Sequence, residues 1–331
     1  MALTKRKKRR LITGIVGFLI ITFGLIALNY PYMSGVLNQV FAHKEAEVYV
    51  QEIKQTDAKE IDARLETAHQ YNDALASGKS LTQFEDFSLL QEGAMLGYVE
   101  IPQISVYMPL RYSVSSEVLK HGLGLVEDSS LPVGGETTHA VISGHTGMAS
   151  KKILTDLTQM KLGDIFFLHI MGIDMAYKVD QILVVEPWDA SELQIVPEKD
   201  YVTLLTCTPY GVNSHRLLVR GERIDFDFSV PVEEIIKEEP RISDVERTRI
   251  IIAYISAVVF ALLLIFVIIY IVDPVGNKKK KVSVKKTEEQ QPTPSEQTES
   301  TIEAEQTAEQ VSESEHQTED TALEKSSTEE V

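Results

Sequence analysis

Two long uncharged stretches, each bordered by a run of basic residues, constrain this chain more than any other feature of its sequence. The first covers 11–28 and follows the basic residues at 5–10, and the second covers 250–272 and precedes the lysines at 278–281. Eighteen residues in a helix reach ~27 Å, which is close to the thickness of a bilayer's hydrocarbon core. The sequence therefore predicts two transmembrane helices, at 11–29 and at 250–272.

The basic residues beside both stretches also predict the orientation of the chain. Lysine and arginine next to membrane spans are retained in the cytoplasm, so 1–10 and 273–331 are expected there and 30–249 outside the cell. A cleaved signal peptide is the alternative for the first stretch, but that stretch exceeds the usual ~7–15 apolar residues and no A-x-A site follows it. We therefore expect a two-pass protein of the cell membrane with an extracellular domain and both termini in the cytoplasm.

The C-terminal tail explains much of the formal net charge of −17. Residues 287–331 contain 14 acidic side chains and one basic one, Lys325, with almost no large apolar residues. Such a composition cannot bury enough apolar surface to fold, so the basic and then acidic segment 273–331 is expected to be disordered. The acidic balance of the chain also argues against a nucleic-acid partner, because phosphate binding needs a basic surface.

The external part divides into a helical extension at 30–94, a β-rich domain at 95–228 and a linker at 229–249. Apolar residues recur at helical spacing within 44–76, which lacks glycine and proline. A short helix is expected near 152–157, and the remaining pattern predicts a barrel or sandwich rather than a βαβ sheet. The candidate strands are 98–101, 104–110, 139–143, 165–170, 176–185, 201–206 and 217–224.

Cys207 is the only cysteine, and it directly follows the apolar strand 201–206. A lone thiol is unusual in an exported protein, because it can oxidise or pair with another chain. A structural cysteine buried in the core is one reading. The other is a nucleophile, which needs a base or a cation to hold the thiolate and a donor for the oxyanion.

A base for such a nucleophile has to come from the external histidines. His145 lies in a small-residue loop after a strand, where its ring is accessible, whereas His169 alternates with apolar residues and is more consistent with a structural role. Arg216 is the nearest cation in sequence, and it discourages protonation of the adjacent His215. The residues alone favour His145 without excluding the others. The candidates are His43, His69, His121, His139, His145, His169 and His215.

The segments around Cys207 and His145 resemble those of a known family. Residues 203–207 read Thr-Leu-Leu-Thr-Cys, which matches the TLxTC signature of sortases, the cell-surface transpeptidases of Gram-positive bacteria. The continuation at 208–221, TPYGVNSHRLLVRG, is similar to the class C, pilin-polymerising form. The segments SLPVGG at 130–135 and HAVISGH at 139–145 resemble the family's histidine region. The resemblance covers about 97–224.

The resemblance implies a mainly β fold, the sortase-type closed eight-stranded β-barrel with short helices, together with the helical extension and two membrane helices. It implies that Cys207 attacks the Thr–Gly carbonyl of an LPxTG-type signal, that His145 exchanges protons and that Arg216 binds the oxyanion or the substrate backbone with support from Thr206. The expected partners are LPxTG-containing pilin or surface proteins, the acceptor lysine amine of a pilin, and the membrane. No metal or cofactor is expected.

One segment departs from the class C pattern. Class C enzymes commonly carry an Asp-Pro-aromatic lid ahead of the barrel, whereas 78–87 contains Asp86-Phe87 and no proline. Without the ring that fixes the backbone, these residues form a degenerate lid or no lid. We expect no lid, which leaves catalysis untouched.

The motifs leave the acceptor open. The main alternative to pilin polymerisation is a sortase that attaches surface proteins to cell-wall peptidoglycan, because both kinds of enzyme would share every catalytic residue. A hydrolytic cysteine protease is a third reading, since water can resolve a thioester. A non-catalytic, membrane-tethered assembly platform is the alternative outside enzymes.

Overall fold

In the order of the chain, a closed barrel of eight strands follows one long helix and precedes another, and each helix contains a predicted membrane span. The computed structural model describes residues 5–146, 153–229 and 240–272. The expected closed, eight-stranded β-barrel is confirmed. Its strands are β1 (Met95–Ile101), β2 (Val106–Tyr112), β3 (Leu123–Leu125), β4 (Thr138–Ser143), β5 (Ile165–Ile170), β6 (Ile173–Val185), β7 (Asp200–Thr208) and β8 (His215–Ile224).

The strand order explains how distant parts of the sequence meet. Around the barrel the strands follow one another as β1-β2-β3-β4-β7-β8-β6-β5. The pairs β2–β3 and β4–β7 are parallel, and the other six pairs are antiparallel. Because β4 and β7 run side by side in the same direction, both end at the same rim of the barrel. We call this rim, where β4 and β7 end and β8 begins, the catalytic rim.

Three sequence predictions about the barrel need correction. The strand β3 was not among the predicted strands, because three residues are too few to show alternation. The strand predicted at 104–110 begins two residues later, at Val106, because Pro102–Ile104 forms a 3-10 turn. The helix expected near 152–157 is a 3-10 turn at Thr155–Gln159, and part of the predicted range lies outside the described residues.

The barrel interior is filled by apolar side chains. The rings of Phe166 and Tyr177, on neighbouring strands, stack with centroids 5.6 Å apart, and both side chains are fully buried. Opposite them Gly221 leaves room, because a Cβ at this position would lie 2.6 Å from the Phe166 ring. Each fully buried large apolar side chain contributes ~1.5–3 kcal/mol, so this interior supplies the main stabilisation of the domain.

Within the described ranges, four helices accompany the barrel: α1 (Lys5–Gln55), α2 (Ala58–Ala76), α3 (Ser116–His121) and α4 (Asp244–Val272). The helix α1 contains both the first predicted membrane span and the start of the extension, whereas the sequence suggested one helix over 44–76. The chain breaks instead at Asp57, whose carboxylate accepts a hydrogen bond from the Lys59 N–H and begins α2. By length and composition, α1 and α4 are able to cross a membrane.

A stack of four rings fixes α1 to the barrel. His43 of α1 lies face to face with Tyr107, with centroids 4.1 Å apart. Tyr107 continues to Tyr98 at 4.8 Å, and Tyr98 continues to His169 at 4.3 Å. The stack therefore passes from α1 across β2 and β1 to β5, so the helix and the barrel are joined by direct side-chain packing.

Candidate active site

The parallel pair β4–β7 places His145 beside Cys207. Ser143 and Leu205 are the last paired residues of the two strands. The Gly144 N–H then donates to the Leu205 carbonyl at 3.0 Å, which extends the ladder by one residue. Continued in the same register, the pairing brings His145 level with Cys207 on the neighbouring strand. Two residues 62 positions apart in sequence thus meet at the catalytic rim.

Thr206 ties the two strand ends together. Its side chain is 1% exposed, and its hydroxyl lies 2.6 Å from the Gly144 carbonyl oxygen and 3.0 Å from the Thr146 Oγ1. Because Gly144 and Thr146 flank His145, one hydroxyl contacts the residues on both sides of the imidazole. Glycine is required at 144, since a Cβ there would lie 2.6 Å from the Leu123 side chain.

Arg216 lies directly across from Cys207 in the antiparallel pair β7–β8. Side chains that face each other in this way project from the same side of the sheet, with Cβ atoms ~4.5–5.5 Å apart. The guanidinium Nη1 donates to the carbonyls of Asn213 at 3.3 Å and His215 at 3.1 Å. Among the described residues no carboxylate pairs with it. The remaining donors are therefore available to an oxyanion or a peptide carbonyl.

The burial of the site favours acyl transfer. Cys207 is half-buried, so its sulfur is not enclosed in the core. His145 is also half-buried, and burial lowers the pKa of its imidazole below the ordinary value of 6.5. An imidazole with a lowered pKa is neutral at neutral pH and is therefore able to accept a proton from a thiol or an amine.

The other histidines of the barrel already have structural partners. In contrast to them, the His145 ring forms no hydrogen bond or ion pair within the described residues. His139 is buried between the Gln194 carbonyl at 2.9 Å and the Thr203 hydroxyl at 2.7 Å. His215 lies 3.5 Å from the carboxylate of Glu186.

His169 is held by two carboxylates rather than by the site. Its Nδ1 lies 2.6 Å from Asp174, and its Nε2 lies 3.5 Å from Glu100. Burial alone would lower its pKa, but the hydrogen bonds to these carboxylates outweigh burial and raise the pKa. This environment supports the structural role expected from the sequence.

Asp86 and Phe87, the residues of the possible degenerate lid, lie in the segment before the barrel. Two 3-10 turns, Thr82–Phe84 and Ser88–Leu90, border them. Asp86 is exposed, whereas Phe87 packs against the hydrophobic core. No hydrogen bond or ion pair joins Asp86 to Cys207 or Arg216 in the described part of the chain.

Two supporting positions were not predicted as site residues. The Thr146 hydroxyl contacts Thr206, and the Asn213 carbonyl holds the guanidinium of Arg216. Both lie within three residues of a predicted catalytic side chain, and this proximity was the only signal in the sequence. Within the described ranges, no group of three or more His, Cys, Asp or Glu side chains is arranged to hold a metal ion.

A closed barrel that gathers a thiol, an imidazole and a guanidinium at one rim has the groups that acyl transfer through a cysteine requires. Residues 99–224 match the family model for the sortase domain. The solved sortase C of Clostridium perfringens with its C-terminal cell wall sorting motif is 48% identical, with a TM-score of 0.54, and the alignment covers 56% of this chain and all of that one. Sortase C of Streptococcus pneumoniae is 40% identical over 55% of this chain and 97% of its own, with a TM-score of 0.51.

A more distant relative agrees. Sortase A of Bacillus anthracis is 24% identical over 213 residues, which cover 64% of this chain and 95% of that protein. The chain belongs to the sortase family and is a sortase-type cysteine transpeptidase. Its structural neighbours include class C sortases.

Proposed function

We propose that this protein polymerises pilin subunits by transferring an LPxTG-type sorting signal to a lysine amine. The thiol of Cys207 attacks the carbonyl carbon of the Thr residue and passes its proton to the neutral imidazole of His145, while the tetrahedral oxyanion forms next to Arg216. His145 then gives this proton to the leaving glycine amine, which breaks the peptide bond and leaves a thioester on Cys207. A lysine amine attacks this thioester and gives a proton to His145; as the new amide bond forms, the sulfur departs as a thiolate and takes the proton back from His145.

The observation that carries the proposal is the shared level of His145, Cys207 and Arg216 at the catalytic rim. Two ladders produce it independently: β4–β7 brings the imidazole, and β7–β8 brings the guanidinium. An unpaired guanidinium across from a nucleophile is suited to a developing oxyanion, because it offers fixed donors at no cost of reorganisation. Thr206 supports the site by fixing the loop that carries His145.

The pilin acceptor is supported by relatives. One neighbour is named sortase C1 of GBS Pilus Island 1 and is 39% identical, with a TM-score of 0.53. Two others are sortase C structures with a C-terminal cell wall sorting motif. By analogy with these proteins, we infer a sorting-signal donor and a pilin acceptor for this chain.

The proposed topology follows from the basic flanks of the two membrane helices. The barrel and the extension, 30–249, lie outside the cell, and the residues before 11 and after 272 lie in the cytoplasm. This arrangement gives the domain access to surface proteins. The topology is tested with variants that carry a single cysteine at position 3 or at position 300 in a Cys207→Ala background. Labelling of either variant by a membrane-impermeant maleimide in intact cells would contradict the proposal.

The acceptor is tested with the full-length chain in detergent. The protein is mixed with an LPxTG peptide in three parallel reactions, which contain a lysine-containing pilin domain, a peptidoglycan stem peptide or no amine. The products are identified by mass spectrometry. We expect a Cys207 thioester and an amide to the pilin lysine. Transfer to the stem peptide alone would identify a cell-wall attachment enzyme, and cleavage independent of added amine would identify a protease. The Cys207→Ala variant should form no adduct; unchanged assembly in cells by this variant would leave only a scaffolding role.

A further inference from the structure

The two membrane helices place the edge of the membrane at a definable level. Phe18 of α1 and Phe260 of α4 pack with ring centroids 6.3 Å apart. Leu28, the last residue of the apolar run in the first stretch, and Ile250, the first residue of the second stretch, each lie ten positions from these rings. At 1.5 Å per residue both lie ~15 Å from the Phe18–Phe260 contact. In a pair that crosses the membrane in opposite directions, the outer ends of both apolar stretches are therefore level.

No charged residue separates this level from the barrel. The chain has no Asp, Glu, Lys or Arg from Leu11 to His43, and Leu37, Val40 and Phe41 are 52%, 59% and 65% exposed. His43 is already packed on Tyr107 of the barrel. The apolar surface of α1 thus continues to the point where the helix meets the barrel. Exposed apolar side chains at this density are typical of contact with lipid or another apolar surface.

The loop between β7 and β8 reaches the same level. Arg249, which immediately precedes the uncharged stretch of α4, donates from Nη2 to the hydroxyl of Tyr210 at 2.8 Å. Its Nη1 also pairs with Glu246 at 3.4 Å, and both side chains are largely buried. Tyr210 lies three residues after Cys207. The catalytic rim is therefore attached to the residue at which the membrane span begins.

Two large apolar side chains project from this rim. Val212 in the β7–β8 loop is 69% exposed, and Trp188 in the turn after β6 is 80% exposed. The two turns are neighbours, because His215 lies 3.5 Å from Glu186. Tryptophan favours the boundary between headgroups and acyl chains, where its ring is apolar and its N–H is solvated.

We propose that Trp188 and Val212 lie against the outer leaflet, so that the catalytic rim rests on the bilayer surface. The inference rests on the topology proposed above and not on the transfer chemistry. A bilayer is favoured over a peptide partner because these side chains are continuous, through Tyr210 and Arg249, with the start of a membrane-spanning helix.

Trp188 is the only tryptophan in the chain, so its fluorescence reports directly on this surface. The full-length protein is placed in vesicles of phosphatidylcholine brominated near the top of the acyl chain, and its emission is compared with that in unbrominated vesicles. Groups at the interface penetrate ~5–10 Å, so we expect quenching by about half or more and an emission maximum shifted to the blue relative to an exposed indole. Val212→Glu should reduce the quenching, because it places a charge on the same rim as the indole.

A matched control carries the tryptophan at the other end of the barrel. The double variant carries Trp188→Phe and Glu136→Trp, so that its only indole replaces an exposed side chain two residues before β4 begins. Because β4 ends at the catalytic rim, this indole lies at the opposite end of the barrel, and we expect little quenching. Equal quenching of the two proteins, or none in either, would overturn the proposal. An emission change on adding an LPxTG peptide, without quenching by brominated lipid, would assign the surface to substrate and also overturn it. Peptide cleavage in the same vesicles reports the transfer chemistry separately.

Discussion

Replacing Thr206 with valine tests whether the link between the two strand ends positions His145. Valine has nearly the shape of threonine, so the substitution removes the hydroxyl without leaving a cavity. The Gly144 carbonyl, 2.6 Å from this hydroxyl, then loses a buried hydrogen-bond donor. Such a loss costs ~1–3 kcal/mol. With a urea dependence of ~1–3 kcal/mol per molar, the unfolding midpoint should fall by about 1 M.

The effect on the reaction should exceed the effect on stability. Thr206 also contacts the Thr146 hydroxyl, so the substitution removes a hydrogen-bond contact on each side of His145. A displacement of ~1 Å at a reacting group lowers rates by as much as ~100-fold, and we expect acylation of Cys207 to slow by about 10- to 100-fold. The assay follows thioester formation with an LPxTG peptide by rapid quench and mass spectrometry. It is carried out in buffer without urea, in which the variant is folded.

Thr203→Val is the matched control. Thr203 lies on the same strand, is also 1% exposed, and its hydroxyl contacts the His139 Nε2 at 2.7 Å. This variant should lose a similar amount of stability while keeping the acylation rate within about twofold, because His139 is remote from the rim. An acylation rate in Thr206→Val equal to that of the unchanged protein, or an equal loss in both variants, would refute the positioning role of Thr206.

Three further predictions concern charge. Arg216→Lys should lower the acylation rate by ~100- to 1000-fold, because a lysine lacks the planar fork of donors. The control is Arg220→Lys on the same strand, which disturbs a bidentate pair with a carboxylate and should lower mainly the unfolding midpoint. Comparable acylation rates in the two variants would argue against the oxyanion role. His169→Gln should destabilise the protein more at about pH 6 than at about pH 9. The raised pKa of His169 gives stability that is present below the ordinary histidine pKa and is lost as the pH rises through the raised pKa. Urea titrations at the two pH values measure the effect, and an equal loss of stability at both would contradict this reasoning. Deleting 287–331 should leave peptide cleavage unchanged, and a large loss in a cleavage assay would assign the tail a part in the reaction.

The strand pattern predicted a barrel or a sandwich, and the family resemblance predicted the closed eight-stranded barrel, but neither predicted the register of the strands. Strand β3 has three residues and so shows no alternation, and its parallel pairing with β2 depends on contacts formed across the whole domain. The pairing of β4 with β7 is of the same kind. Sequence patterns report which residues face the core, whereas the order of strands is decided by how the closed sheet packs.

The length of α1 was also beyond the reach of pattern analysis. The predicted boundary at 29–30 marks a chemical change from apolar to mixed residues, not the end of the helix. The backbone continues through it to Gln55 because nothing there forces a turn; even Pro31 lies within the helix. The break appears only at Asp57, where a side chain caps the next helix.

The residues of the candidate site were indicated by the sequence, but the reason for choosing among the histidines came from structure. From residue type alone His145 was only the favoured base. The partners of His139, His169 and His215 separate these histidines from His145. The site residues themselves remain to be tested by the substitutions above.

The parallel pairing of β4 and β7 has a consequence for how this enzyme diverges. The two strands are fixed by their own ladder and by the buried hydroxyl of Thr206, so the turns that join β5, β6 and β7 are not needed to hold base and nucleophile in register. These turns are free to lengthen, shorten or change composition while the reacting atoms keep their spacing. New donor specificities can therefore arise in them without rebuilding the catalytic machinery.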